Sequence, residues 1–263
     1  MIRLESRQAV AELILDKAPN NAVDQELLRE LAVQLESLAS QPDLRVLLLR
    51  SGLERHFSVG ADLGAMAQVD RQSSQAMEQI VNMTVQMQLT YLALERFPRP
   101  VIAAIKGNCL GAGCELALCC DYRIMVDDQR ATIGQPEVHL GVMPGLGGTQ
   151  RLPRLVGRSK AAQMLFEGRR LTAPEALAIG LIDGCAPAED FEAVVADLVA
   201  RLVKMPPIAL AEIKACLAEA GSDGLRAGLA REARGFARCA LTQDAVIGVA
   251  AFFAKRSPEF IGR

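Results

Sequence analysis

The sequence predicts a mixed α/β core that gives way to a helical tail. Three observations carry this. Short apolar runs such as "RVLLLRSG" and "RPVIAAIKG" alternate with segments of helical spacing, the pattern of parallel β-α units. Beyond Arg158 the pattern changes, and helical segments come to dominate. Of 263 residues, 51% are hydrophobic and 23% charged, which supplies a large core in a globular chain. We divide the chain into a core over 1–200 and a helical region over 201–263.

The elements follow in order. "IRLES" and "AVAELILD" read as strands joined by a tight turn near Arg7 and Gln8, and "APNN" is turn chemistry. Asp24 is placed as an N-cap, with Leu27, Leu31, Leu35 and Leu38 behind it at helical spacing. "RVLLLRSG" is a buried strand, "HFSVGADLGAM" a glycine-punctuated loop, and a long helix runs from about Ser73 to Glu95. The methionine-rich stretch from Met66 to Met87 is read as core packing rather than as the wall of a ligand pocket. "RPVIAAIKG" is a strand, "GAGCELALCCD" a short apolar helix, "YRIMVDD" a strand, and "ATIGQPEVHLG" a strand running into a turn. In "LTAPEALAIG", Thr172 and Glu175 stand at capping-box spacing and Gly180 at the stop. "PAEDFEAVVADLVARLVK", "PPIALAEIKACLAEAG" and the run from Gly224 to Lys255 read as helices, punctuated by Pro206 and Pro207.

Charge and composition exclude several classes. Lys and Arg total 29 against 31 Asp and Glu, a net charge of −2 that gives no support to nucleic-acid or acidic-membrane binding. The basic cluster in "EGRRL" is read as a solvated turn. No run reaches the ~18 apolar residues of a membrane span, and the charged, strand-like start resembles neither a signal nor a transit peptide. We therefore expect a soluble, cytoplasmic protein. The seven cysteines form no CxxC and lie near no histidine, so they are read as small apolar residues in a reducing compartment, and no metal site is expected.

"GAGCEL" at 111–116 follows an apolar run and invites a dinucleotide-loop reading. It places Leu116 where a Rossmann turn packs helix closely on strand, and it lies mid-chain; "GLGGTQ" fails at Gln150. No G-x-S-x-G occurs around Ser58, and His56 and His139 are read as structural or solvent-edge residues. What survives is a set of three turns: "HFSVGADL", "GNCLGAGCEL" and "IGQPEVHLGVMPGLGGTQRL". In the first two, small residues let bare backbone N–H groups approach a ligand, and in the second those amides also open a helix. Two such amides would form an oxyanion hole. Glu115 stands in the first turn of a short apolar helix, where a carboxylate is costly unless it has a partner or a task. With Glu137 it would share one water between a base and an acid. The residues alone leave the plainer readings open: Glu115 also suits a helix N-terminus, and Glu137 also suits an exposed turn.

These three segments, in this order, resemble the enoyl-CoA hydratase/isomerase family, the crotonase superfamily. The likeness spans nearly the whole chain and includes "NNAVDQELLREL", "GRRLTAPEALAIGLID" and "FFAKRSPEF". The resemblance implies a spiral of repeated β-β-α turns over 1–200, with C-terminal helices over 201–263 that build trimers and stacked pairs of trimers. By motif position, Ala61 and Ala112 correspond to the oxyanion-hole donors, and Glu115 and Glu137 to the catalytic carboxylates. Ala22, Ala61, Asp62, Leu63, Gly111 and Ala112 correspond to substrate-binding positions. Having both glutamates is the pattern of hydratases; isomerases of the family typically lack the first. The implied substrate is an acyl-CoA thioester, with coenzyme A as part of the substrate and no separate cofactor or metal. Isomerase activity, a specialised lyase reaction and silent acyl-CoA binding are the alternatives.

Two positions depart from the family pattern. Ala112 stands where a glycine is usual, which a backbone donor tolerates. Gly64 stands where many relatives carry a CoA-binding lysine, so the CoA phosphates are expected to find other cations, with Lys255 and Arg256 as candidates.

Overall fold

The computed structural model describes residues 1–62, 64, 73–220 and 225–263. β1 (Ile2–Arg7) and β2 (Val10–Leu15) form an antiparallel hairpin, with Gln8 in the left-handed region at φ 55°. From β2 onward the first sheet is parallel: β3 (Val46–Ser51), β5 (Val101–Ile105), β7 (Tyr122–Val126) and β10 (Gly184–Ala186), in the order β1-β2-β3-β5-β7-β10. The second sheet interleaves with it in sequence. β4 (His56–Ser58), β6 (Asn108–Leu110) and β8 (Ile133–Gly134) run parallel, and β9 (Arg170–Leu171) closes the edge antiparallel. From β3 to β8 the chain visits the two sheets alternately, so each turn lays one strand on each, and this is the spiral.

Packing explains why these segments adopt these elements. Helix Gln25–Ala39 starts at Asp24, whose carboxylate accepts from the amide of Leu27 at 2.9 Å. It buries Leu27, Leu28, Leu31, Leu35 and Leu38. A fully buried leucine is worth roughly 1.5–3 kcal/mol, so the apolar stripe holds this helix more than intrinsic propensity does. Helix Ala173–Ala178 begins with the expected capping box of Thr172 and Glu175. The run after Gly224 forms two helices, Leu225–Ala240 and Gln243–Phe253, with Thr242 capping the second. The long helix begins at Ala76.

The second sheet was less legible. "HFSVGADLGAM" reads as a loop, yet His56–Ser58 is a strand, and β6 and β9 carry no separate signal, nor does β10 at the edge of the first sheet. Strands of two or three residues are too short to show alternation and are set by the partner they meet. Cys109, Cys114, Cys119 and Cys120 are buried as small apolar residues, and Cys185, Cys216 and Cys239 are half-buried. No His, Cys, Asp or Glu grouping fit for a metal ion occurs among the described residues. Among those residues no single helix is long and apolar enough to cross a bilayer. Arg226–Ala240 and Gln243–Phe253 reach the length and composition only when counted together across a 75° bend.

Gly113 locks the site helix Ala112–Leu118 onto β4. A Cβ at this position would lie 2.5 Å from the Ser58 side chain and 2.6 Å from its carbonyl oxygen. Gly113→Val is therefore expected to destabilise the fold by about 1–3 kcal/mol, the usual cost of overpacking, read from the urea midpoint.

Candidate active site

A cavity of about 1480 Å³ opens where the turns of the spiral meet. It exceeds the ~300–1,000 Å³ of ordinary small-molecule sites. Ala22, Ala61, Asp62, Gly111, Ala112, Glu115 and Glu137 all line it. Leu63 lies outside the described residues, as does Met66.

Glu115 is 1% exposed. Its Oε1 accepts hydrogen bonds from the amides of Leu146 and Gly148, both at 2.7 Å. Burial pushes its carboxyl above the usual carboxylate range, while these amides and the Arg151 guanidinium pull the other way. Glu137 opens the 3-10 turn Glu137–Leu140 and is half-buried. Burial raises its carboxyl to about 7, and the negative charge of Glu115 adds to the rise. The two carboxyl groups thus share one cavity, and the charge of Glu115 bears on the ionisation of Glu137. Gln135 is fully buried. With its amide nitrogen turned to Glu137, it donates at 2.9 and 3.2 Å to the two carboxylate oxygens.

The backbone amides sit close by. Val23 bridges Ala61 in parallel, using Val23 N–H to Gly60 O at 2.8 Å and Asp62 N–H to Val23 O at 2.9 Å. Ala61's own N–H takes no part in this bridge and points to the opposite side. Ala112 is the first residue of its helix, where amides lack intrahelical acceptors. Gly60 packs against the Gly111–Ala112 peptide: a Cβ at Gly60 would meet the Ala112 nitrogen at 3.6 Å. Gly111 has φ 54°, a backbone that favours glycine, and a Cβ there would press on Glu137 Oε1 at 3.1 Å.

The cavity changes character along its walls. Beside Ala61 the Lys17–Asp24 loop brings Lys17 and Asp24, which pair, with Arg29 on the following helix. Asn21 pins this loop. Fully buried, it donates to Ser51 Oγ at 2.8 Å and Phe57 O at 3.0 Å and accepts from Lys17 N–H at 2.7 Å. Beside Glu115, Gln88 donates to Gly145 O at 2.7 Å, which ties the loop before Leu146 to helix Ala76–Glu95. Ile80, Met83, Met87, Leu140, Val142 and Met143 line this region. Met83 and Met87 therefore wall the cavity, although Met87 also touches the core. The core-packing expectation holds in part for Met87 and fails for Met83, because the helix turns Thr90, Tyr91 and Leu94 inward instead.

Other expectations resolve individually. Ser58 is fully buried and donates to Asn21 O at 2.8 Å, a structural role. His139 is exposed and His56 half-exposed, and neither lines the cavity. Lys255 and Arg256 are exposed in the tail and do not line it. Asn21, Gln135, Leu146, Gly148 and Arg151 are the contributors that the sequence reading did not single out. Gln135 and Arg151 lie within motifs it quoted; the two amides carry no side-chain signal.

Comparison with known proteins agrees with the geometry. The enoyl-CoA hydratase/isomerase family profile matches residues 5–263. The 2,3-dehydroadipyl-CoA hydratase of Escherichia coli is 39% identical over 98% of this chain and 97% of its own length. The crotonyl-CoA hydratase of Syntrophomonas wolfei is 33% identical over 100% of this chain and 98% of its own. The crystal structure of an enoyl-CoA hydratase from Bacillus anthracis superposes with a TM-score of 0.90 at 32% identity, covering 100% of this chain and 99% of that one. From the two-sheet spiral, the shared cavity and these matches, the chain belongs to the enoyl-CoA hydratase/isomerase family.

Proposed function

We propose that this chain is an enoyl-CoA hydratase, which adds water across the trans-2 double bond of an enoyl-CoA to give a 3-hydroxyacyl-CoA. The observation that carries this is the meeting of two buried or half-buried glutamates and two free amides on one cavity. The thioester oxygen lies between the amides of Ala61 and Ala112, which draw electron density from the enoyl system and make C3 electrophilic. Negative charge grows on that oxygen as water adds, so the amides bind the transition state more strongly than the ground state. Glu115 takes the proton of the attacking water, and Glu137 delivers a proton to C2. The raised carboxyl of Glu137 suits the donor, since it stays protonated up to about pH 7. The water leaves its hydroxyl on C3 and its proton on Glu115, the C2 proton comes from Glu137, and passage of the Glu115 proton to Glu137 through solvent restores both carboxyl groups. The reaction as proposed needs no cofactor beyond the coenzyme A of the substrate.

Lys17, Arg29 and the Lys17–Asp24 loop form the polar wall assigned to the CoA end, and Ile80, Met83, Met87 and Leu140 the wall assigned to the acyl end. A panel of short, long, branched and aromatic enoyl thioesters, with products identified by mass and chiral chromatography, tests the reading. A shifted double bond without hydration would make it an isomerase, and binding without turnover an acyl-CoA-binding protein.

We assign the helices over 201–263 to self-assembly. Leu241 is 89% exposed, and Phe236, Phe252 and Phe253 are 75%, 78% and 77% exposed, more apolar surface than a monomer normally leaves in water. Sedimentation is expected to give a trimer or a pair of trimers, and Phe252→Glu with Phe253→Glu to shift it toward monomer. The free thiols suit the cytoplasm.

A further inference from the structure

Behind the cavity, Glu115 is gripped by a chain of contacts that begins two helices away. Glu95, near the end of helix Ala76–Glu95, pairs with Arg151 Nη2 at 2.7 Å. Arg151 Nη1 donates to Leu146 O at 2.9 Å, and the amide of Leu146 donates to Glu115 Oε1 at 2.7 Å. The guanidinium packs against the loop at Leu146 and Gly147. A Cβ on Gly147 would collide with Arg151 Nη1, and Gly147 itself has φ 114°. The left-handed backbone holds that position to glycine, and a side chain there would also push the guanidinium off the loop. The Arg151 Nε–H is buried without a hydrogen-bond partner, so the pair with Glu95 leaves part of the guanidinium unsatisfied.

We infer that Arg151, steadied by Glu95, is a positioning residue for Glu115: it clamps the loop that holds one carboxylate oxygen and sets the charge that oxygen faces. Arg151 does not line the cavity and acts through the Leu146 and Gly148 amides. The groups around Glu115 come from every packed element. Arg151 stands on helix Gly148–Val156, Glu95 and Tyr91 on helix Ala76–Glu95, Cys119 at the end of Glu115's own helix, and Glu137 on the 3-10 turn. Arg151 is the cation among them. It lowers the Glu115 carboxyl against burial, and Glu95 partly neutralises it. Removing the cation and removing its counter-charge must therefore move Glu115 in opposite directions. A purely structural role predicts no such opposition.

The catalytic consequence rests on the hydratase reading, but the electrostatic one does not, and the experiment separates them. The Glu115 carboxyl is titrated by carbon-13 NMR in glutamate-labelled protein, with its signal assigned by Glu115→Gln. Arg151→Met is expected to move that titration upward and Glu95→Gln to move it downward. In turnover, Arg151→Met is expected to lower kcat on the acidic limb of its pH profile, by about tenfold for each pKa unit that the carboxyl rises, because the ionised base is limiting there. KM and butyryl-CoA affinity should stay within about twofold, and the acidic limb of the kcat profile should move with the NMR titration. Arg151→Lys, which keeps the charge but not the fork, should leave the titration near that of the parent protein, and if the Met variant does not fold the downward shift in Glu95→Gln carries the test. A Glu115 titration unmoved in both Arg151→Met and Glu95→Gln, or moved the same way by both, overturns the proposal. So does a raised KM with kcat retained. A parent protein that hydrates no enoyl-CoA sinks the hydratase reading and leaves the NMR result to decide the role of Arg151.

Discussion

Glu115→Gln is expected to lower kcat for enoyl-CoA hydration by about 10²–10⁴-fold, the usual contribution of a positioned general base. Glutamine keeps the shape and an acceptor oxygen for the amides of Leu146 and Gly148, which donate at 2.7 Å. The loop should hold, and butyryl-CoA should bind with near-parental affinity by calorimetry. The loss then lies in the chemical step, because an amide cannot take the proton of the attacking water. A purely structural Glu115 would show the reverse, with affinity and stability falling together and kcat retained in the remaining folded enzyme. Undiminished hydration would remove Glu115 from the mechanism.

Glu137→Gln carries the second large effect, and two readouts separate its parts. Exchange of the C2 proton of a saturated acyl-CoA with deuterated water should fall below detection, while Glu115→Gln leaves measurable exchange. Retained exchange in Glu137→Gln would reassign the proton donor. The parental kcat should also decline as pH rises through about 7, where Glu137 loses its proton. The same variant bears on stability. The folded protein raises this carboxyl from 4.5 to about 7, so it holds the proton more tightly than the unfolded chain does. That contribution to stability is present below the unfolded value and is lost as pH rises through the folded one. Glutamine does not titrate. Glu137→Gln should therefore gain thermal stability relative to the parent between pH 5 and 8, with little difference near pH 4, as scanning calorimetry can measure. A protein made more stable by losing its acid group is the expected trade-off at a strained functional site.

How much of this was legible in the chain depends on what kind of signal each part leaves. The leucine stripe of Leu27 to Leu38 and the cap at Asp24 write a helix directly, because burial and capping both act at fixed spacing. Glu115 stood out because a carboxylate within "CELALCC" has no cheap place to go. Glu137 stood out beside Pro136 in a turn rich in glycine. What could not be read was whatever depends on distant segments meeting. β4 and β6 are too short for periodicity, and although "ATIG" reads as the strand that forms β8, the alternation between sheets that builds the cavity leaves no local mark. The anchoring of Glu115 by main-chain amides leaves none either, since an amide is common to nearly every residue. Met83 and Met87 sit at core-like spacing and yet face the ligand space, because Thr90, Tyr91 and Leu94 turn the other face of the helix inward.

The grip on Glu115 and the polarisation proposed at Ala61 and Ala112 share one property: the donors are peptide hydrogens, indifferent to what hangs from the α-carbon. Evolution can thus recolour the walls around the acyl group without dimming the field that drives the reaction. Fragility moves elsewhere, to torsion angles and bare α-carbons. A Cβ on Gly148 would crowd Gln135, Pro144 and Glu115 at 2.9, 3.0 and 3.1 Å. Saturation mutagenesis should find Leu146 permissive and Gly111, Gly147 and Gly148 nearly immutable, a map of tolerance drawn by geometry in place of chemistry.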